Sequence, residues 1–115
     1  MSNAFDSVDE WLTVPEVAER LDIPLGKVRR YIEEHVLFSV RFDGVQKIPA
    51  HLIASGEPLS SLRGTILVLI DAGFDVDSAV AWLYRVEVSI GRAPIDLLLE
   101  GRKSEVRRVA QSLAF

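Results

Sequence analysis

Val14, Val17, Ala18 and Leu21 recur at i, i+3, i+4 and i+7, the spacing of one apolar helix stripe turned toward a core. Thr13 and Glu16 stand ahead of that stripe at capping-box spacing. The Thr13 hydroxyl can accept from the Glu16 amide while the Glu16 carboxylate reaches back to the Thr13 amide. Pro15 falls in the first turn, where a missing N–H costs little. Asp22-Ile23-Pro24 ends the helix, because the residue before proline is pushed out of the α region. Ile23, apolar inside a turn, is placed to plug the space between two helices. A second helix is expected over residues 25–35, with Leu25, Val28 and Ile32 on its inner side. Gly26, Lys27, Arg30, Glu33 and Glu34 fall roughly opposite, and Arg29 and Tyr31 flank the stripe.

The rhythm then changes. Phe38-Ser39-Val40-Arg41-Phe42 alternates apolar and polar with period two, as a half-buried strand does. Asp43-Gly44 suits a type I′ turn, in which both positions need positive φ. Val45-Gln46-Lys47-Ile48 returns, and Pro49 closes the strand. Helix, tight turn, helix and two-stranded hairpin, in that order, predict a winged helix-turn-helix.

The second half reads as helical throughout. Ala54-Ser55-Gly56-Glu57-Pro58 is the natural connection by its Gly, Pro and Ser content. A helix from about Ser60 carries Leu62, Ile66, Leu69 and Ile70 and stops at Gly73, placed as a C′ glycine. The next starts around Phe74, Asp75 and Asp77, with Ala79, Trp82 and Leu83 as its apolar side. Pro94 opens a short helix over Ile95 to Leu99 that Gly101 terminates. Ser104 can cap the last helix, whose Val106, Val109, Ala110 and Leu113 again follow helical spacing, with Arg107 and Arg108 off the stripe. The fold expected is therefore mainly α: a flexible tail (1–10), a winged helix-turn-helix domain (11–54), and a small helical C-terminal domain packed on it (55–115).

The 115 residues, 49% hydrophobic and 26% charged, have the composition of an ordinary globular chain. With no cysteine there is no disulfide framework, thiolate zinc site or thiol nucleophile, which fits a cytoplasmic protein. The longest apolar run, residues 66–70, is far below the about 20 residues needed to span a bilayer, so no membrane association is expected. No signal-peptide pattern opens the chain. His35 and His51 lie in no ligand spacing, and His35 suits the last carbonyls of the second helix. There is no phosphate loop, metal triad or nucleophile motif, so neither a cofactor nor an enzymatic activity is expected.

Net charge is −4, which argues against an unselective basic coat. The distribution says more than the sum. Residues 27–47 carry Lys27, Arg29, Arg30, Arg41 and Lys47 against Glu33, Glu34 and Asp43, a local +2. Residues 1–26 carry six acids against Arg20 alone, a local −5. In a helix-turn-helix the start of the second helix meets base edges in the major groove. Lys27 and Arg30 are candidates for the groove, arginine being able to fork onto guanine. Arg29 is a candidate for phosphate or base, and Arg41 and Lys47 for phosphates at the wing. A charged helix face is more often simply solvated, and a short hairpin is often only structural. Glu33 and Glu34 would have to sit away from phosphate.

Several runs together resemble a family of small actinobacterial DNA-binding proteins with a winged helix-turn-helix. In the first half these are Ile23-Pro24 with Val28-Arg29-Arg30-Tyr31-Ile32, and Asp43-Gly44 with Ile48-Pro49-Ala50. In the second they are Asp71-Ala72-Gly73-Phe74, Ala81-Trp82-Leu83, Gly91-Arg92-Ala93-Pro94-Ile95 and Ala110-Gln111. The resemblance implies binding of double-stranded DNA through Lys27, Arg29, Arg30, Tyr31, Arg41 and Lys47, and a role in transcription regulation. A mycobacterial member is a substrate of a Ser/Thr protein kinase, which implies such a kinase as a partner. The tail holds Ser2 and Ser7 but no threonine, so no phosphosite is carried over. The C-terminal half is also similar to the toxin-binding domain of Xre-type antitoxins. That likeness implies the competing reading, a protein-interaction or dimerisation module with a partner on the C-terminal helices.

Overall fold

A computed structural model describes residues 5–113; Ser2 with the rest of residues 1–4, and residues 114–115, lie outside the described part. The chain divides into two compact units, residues 8–60 and residues 61–115 joined by 1–7.

In the first unit a strand β1 (Trp11–Thr13) runs directly into helix α1 (Val14–Leu21). Thr13 is the N-cap of α1: its Oγ1 accepts from Glu16 N at 3.3 Å and its N–H donates to Glu16 Oε1 at 2.9 Å. The expected capping box is thus formed on both sides. Val14, Val17 and Ala18 are buried as their spacing requires. The helix ends on Asp22, left-handed at φ 56, with the Ile23 N–H on the Ala18 carbonyl at 3.0 Å. Aspartate tolerates that conformation better than most residues, so the stop lies one residue before the pre-proline position.

Helix α2 (Leu25–Glu33) is shorter than expected. His35, at φ 65, donates its N–H to Ile32 O, and Val36 N binds Tyr31 O at 2.8 Å. This is the Schellman closure with histidine where glycine is usual. Val28 is fully buried, but Leu25, expected on the inner side, is 42% exposed.

The expected hairpin is β2 (Val40–Phe42) and β3 (Val45–Pro49), joined by Asp43 (φ 51) and Gly44 (φ 81), the positive pair of a type I′ turn. It is one part of a three-stranded antiparallel sheet, β1-β3-β2. β1 escaped notice because three residues leading into a capping box carry no readable period. Pro49 lies inside the ladder opposite Trp11, and Ala50 N continues it to Glu10 O at 2.9 Å. Phe38, expected to begin the strand, is buried ahead of it. Leu12 and Ile48, register partners, face the core, whereas Val40 and Phe42 point to the other side of the sheet. The expected alternation of β2 is present, and its apolar side is the one turned away from Leu12 and Ile48. A single 3₁₀ turn, Ala50–Ile53, follows and buries Leu52 and Ile53. Residues 5–10 also carry contacts: Val8 is buried and Glu10 pairs with Arg20 at 3.1 Å.

The second unit is built from α3 (Leu62–Asp71), α4 (Val76–Tyr84), α5 (Pro94–Leu99) and α6 (Lys103–Ser112). Gly73 and Gly101, at φ 107 and 82, close α3 and α5 with Schellman bonds: Phe74 N to Leu69 O and Arg102 N to Leu97 O. Asp75 caps α4 by accepting from Ser78 N at 2.7 Å. Ser104 does not cap α6; that helix begins at Lys103 behind Arg102, whose guanidinium binds Glu105. Leu62, Ile66, Leu69, Leu83, Ile95, Leu97, Leu98 and Val106 are buried, and Trp82 donates its Nε1 to Glu87 at 3.0 Å. Phe5 lies 5.2 Å from the ring of Tyr84, whose burial pushes its hydroxyl far above its ordinary pKa.

Arg107, expected off the apolar stripe, is half-buried over Gly64. It donates to Thr65 Oγ1 and to Ser61 O, each at 3.3 Å. A Cβ at Gly64 would collide with that guanidinium. In an Arg107→Ala background, Gly64→Ala should therefore stabilise by about 1 kcal/mol through helix propensity. In the parent the gain should be absent, which chemical denaturation of the four variants measures.

The cap of α1 makes a second prediction. The hydrogen bond from the Thr13 N–H, more than any other cause, lowers the Glu16 carboxyl below its ordinary pKa. The folded value lies below the unfolded one, so the contribution is complete above the unfolded pKa and lost as pH falls through the folded one. Glu16→Gln should be less stable than the parent at neutral pH and converge with it in acid. Thr13→Ala should cost about 1 kcal/mol, both read by thermal melts across pH.

Candidate nucleic-acid interface

Four of the six candidate residues lie on α2. Lys27, Arg29 and Arg30 are exposed, and Tyr31 is half-buried on the same helix. The Lys27 ammonium sits 5.7 Å from the centre of the Tyr31 ring, one turn along, a cation–π distance that orients the lysine without neutralising it. None of Lys27, Arg29, Arg30, Arg41 and Lys47 takes part in an ion pair among the described residues. Elsewhere Arg20 pairs with Glu10, Arg92 with Glu100, and Arg102 with Glu100 and Glu105, while the exposed Arg85, Lys103 and Arg108 likewise take part in no ion pair among the described residues. Hydrogen bonds donated to these carboxylates raise the Arg92 and Arg102 pKa values.

The beginning of α2 is open. Pro24 occupies the N-cap and makes no side-chain cap bond, and no acid lies in the first turn. Its first amides and the positive end of the helix dipole add to the field of Lys27. Gly26 faces free space, since a Cβ there would meet nothing within 4 Å. Glu33 and Glu34 sit at the far end of the helix. The helix is thus polarised, with cations over its first two turns and carboxylates at its last residues.

The wing candidates divide between the two sides of the sheet. Arg41 is opposite Gln46 and folds its Nη1 onto the Gly44 carbonyl at 2.9 Å, so it spans its own turn. Lys47 is opposite both Val40 and Thr13, on the other side. It is half-buried, and close enough to Glu16 to contribute to that carboxyl's lowered pKa. The structure therefore brings Lys27, Arg29, Arg30 and Tyr31 together on one helix but does not put Arg41 and Lys47 on one side of the wing.

Two exposed apolar residues of the wing escaped the sequence reading: Phe42, 36% exposed, and Val45, 48% exposed, which are register partners. Their alternation was legible, but a two-stranded hairpin does not say which side meets a core. Among the described residues no three of His, Asp and Glu group to hold a metal, and no helix is long and apolar enough to cross a membrane.

Comparison with known proteins agrees with this architecture. Residues 1–53 match the family described as DNA-binding protein Rv2175c, wHTH domain, and residues 59–114 match the Rv2175c C-terminal domain of unknown function. The chain is 30% identical to DNA-binding protein Rv2175c of Mycobacterium tuberculosis over 89% of its own length and 79% of that protein. The NMR structure of Rv2175c superposes with a TM-score of 0.83 at 28% identity, covering 99% of this chain and 87% of that one. A winged helix-turn-helix followed by the helices of the matching C-terminal domain places the chain in the Rv2175c family.

Proposed function

We propose that this protein binds duplex DNA, with the start of α2 in the major groove and the wing against the backbone, as a regulator of transcription in the cytoplasm. The observation that carries the reading is the set of exposed cations on α2, Lys27, Arg29 and Arg30, left without carboxylate partners on a helix whose first turn holds no acid. An unneutralised cation costs little in water and gains on release of counterions from phosphate. The acids of α1, with the local −5 of residues 1–26, repel phosphate from other approaches and favour one pose. The family's description as DNA-binding and the name of the mycobacterial relative support the same reading.

With three or four phosphates neutralised, the logarithm of affinity should fall against log salt with a slope of about −3. Replacing Lys27 and Arg30 together by alanine should weaken binding at low salt at least tenfold, by about 1–3 kcal/mol per lost contact, and leave the melting temperature in place. Equal binding by parent and variant would remove α2 from the interface. In the same titration Gly26→Ala should stabilise the free protein, since the site is open. It should weaken the complex if DNA approaches the α2 backbone there.

A second role, for a protein partner on the C-terminal helices, is favoured by Val86 and Val88, 71% and 93% exposed. Their loop is held by Glu87: its N–H binds Arg92 O at 3.0 Å, its carbonyl accepts from Ile90 and Gly91, and its carboxylate binds Trp82. Two valines on a pinned loop are too small to make a stable interface themselves and would be the apolar centre of a wider contact with a polar rim. If that surface is a second copy, sedimentation velocity should show a concentration-dependent dimer that Val88→Asp abolishes; a monomer at all concentrations would exclude self-association there.

A further inference from the structure

The side of the sheet turned away from Leu12 and Ile48 carries Trp11, Val40, Phe42, Val45 and Lys47, by register and strand alternation. Phe42 and Trp11, from the two edge strands, meet edge-on with ring centroids 4.9 Å apart and planes at 74°. The pair leaves Phe42 and Val45 exposed immediately behind the turn. The turn itself presents Asp43, a carboxylate, and Arg41 is drawn to the Gly44 carbonyl on the opposite side. This side therefore offers nucleic acid one cation, Lys47, half-buried near the Glu16 carboxylate, behind an apolar edge and an acidic tip.

That arrangement is poorly suited to gripping phosphate. It suits the wall of a groove, where deoxyribose presents apolar surface between flanking phosphates. We infer that Phe42 and Val45 form an apolar contact by which the wing packs on the sugars of duplex DNA, with Lys47 reaching the adjacent phosphate. The inference rests on the DNA reading above and deepens it. The wing belongs to the same compact unit as α2, the helix of the proposed interface. Area decides against a second copy as the occupant. Two partly exposed side chains fall far short of the roughly 800 Å² per partner that a stable protein interface buries. Apolar side chains do, by contrast, seat proteins on DNA, most often as wedges between base steps of the minor groove.

The test is a fluorescence-anisotropy titration of the full chain against a short labelled duplex of random sequence over a series of salt concentrations. Parent, Val45→Ser and Phe42→Ser are compared, with thermal melts of each. Val45→Ser should bind about tenfold more weakly at every salt, since apolar burial is lost, and with an unchanged salt slope, since no phosphate contact is removed. Phe42→Ser should behave alike; if the melt shows that it has lost its fold through the Trp11 contact, Val45→Ser alone decides. Parental affinity in a folded Val45→Ser overturns the apolar contact and leaves the DNA reading standing. A slope reduced by about one phosphate in Val45→Ser also overturns it, because the loss would then be electrostatic. No binding by the parent at any salt removes the DNA reading and this inference with it.

Discussion

Thr13 is where the winged unit is joined. It is the last residue of β1, opposite Lys47 of β3, and at the same time the N-cap of α1. Its N–H and its hydroxyl are both spent on Glu16, so neither end of the junction is free to swing. The consequence is geometric. The central strand of the wing, β3, and the first helix of the helix-turn-helix are anchored to one residue. α2 follows α1 through a three-residue turn whose left-handed Asp22 and Ile23 to Ala18 bond leave it little freedom. The helix pair and the wing are thus tied together by hydrogen bonds rather than by a free linker. A cap is worth about 1 kcal/mol in stability, but its larger effect here is to remove a hinge.

Against that rigid frame the charges are sorted by what they already touch. Arg92, Glu100, Arg102 and Glu105 form an exposed chain of ion pairs, and Arg20 holds Glu10. Pairs of this kind contribute little to stability individually, yet they neutralise their arginines as far as an outside anion is concerned. Lys27, Arg29 and Arg30 have no such partner among the described residues, and although the same holds for Arg85, Lys103 and Arg108, only these three are gathered within four positions of one helix. The net charge of −4 therefore conceals a helix that is electropositive at its start. The total predicts how the protein behaves in bulk, whereas the unpaired residues predict where an anion docks.

Much of this could be read from the residues, for identifiable reasons. The capping box of Thr13 and Glu16, the Asp43-Gly44 turn and the C′ glycines Gly73 and Gly101 are local devices in which each residue type meets one backbone requirement. They appear in the structure as the chain suggested. What escaped depends on distant partners. β1 is a strand only because β3 pairs with it, and nothing in Trp11-Leu12-Thr13 announces that. His35 adopts a conformation glycine favours because Tyr31 and Ile32 carbonyls need closing donors. Arg107 is drawn inward by Thr65 and Ser61, more than forty positions away. Phe42 and Val45 point outward because Leu12 and Ile48 claim the inner side of the sheet. Of the candidate site, the α2 cluster was legible from helical spacing. The division of Arg41 from Lys47 was not, since the side of a strand is settled by the third strand.

We propose that the start of α2 and the outer side of the wing meet DNA, which the backbone amides of isotope-labelled protein, followed by NMR as duplex DNA is added, would report. Shifts are expected at residues 25–31 and 42–47, with little change over residues 76–113. Shifts confined to the C-terminal helices, or none at all at low salt, would contradict this proposal.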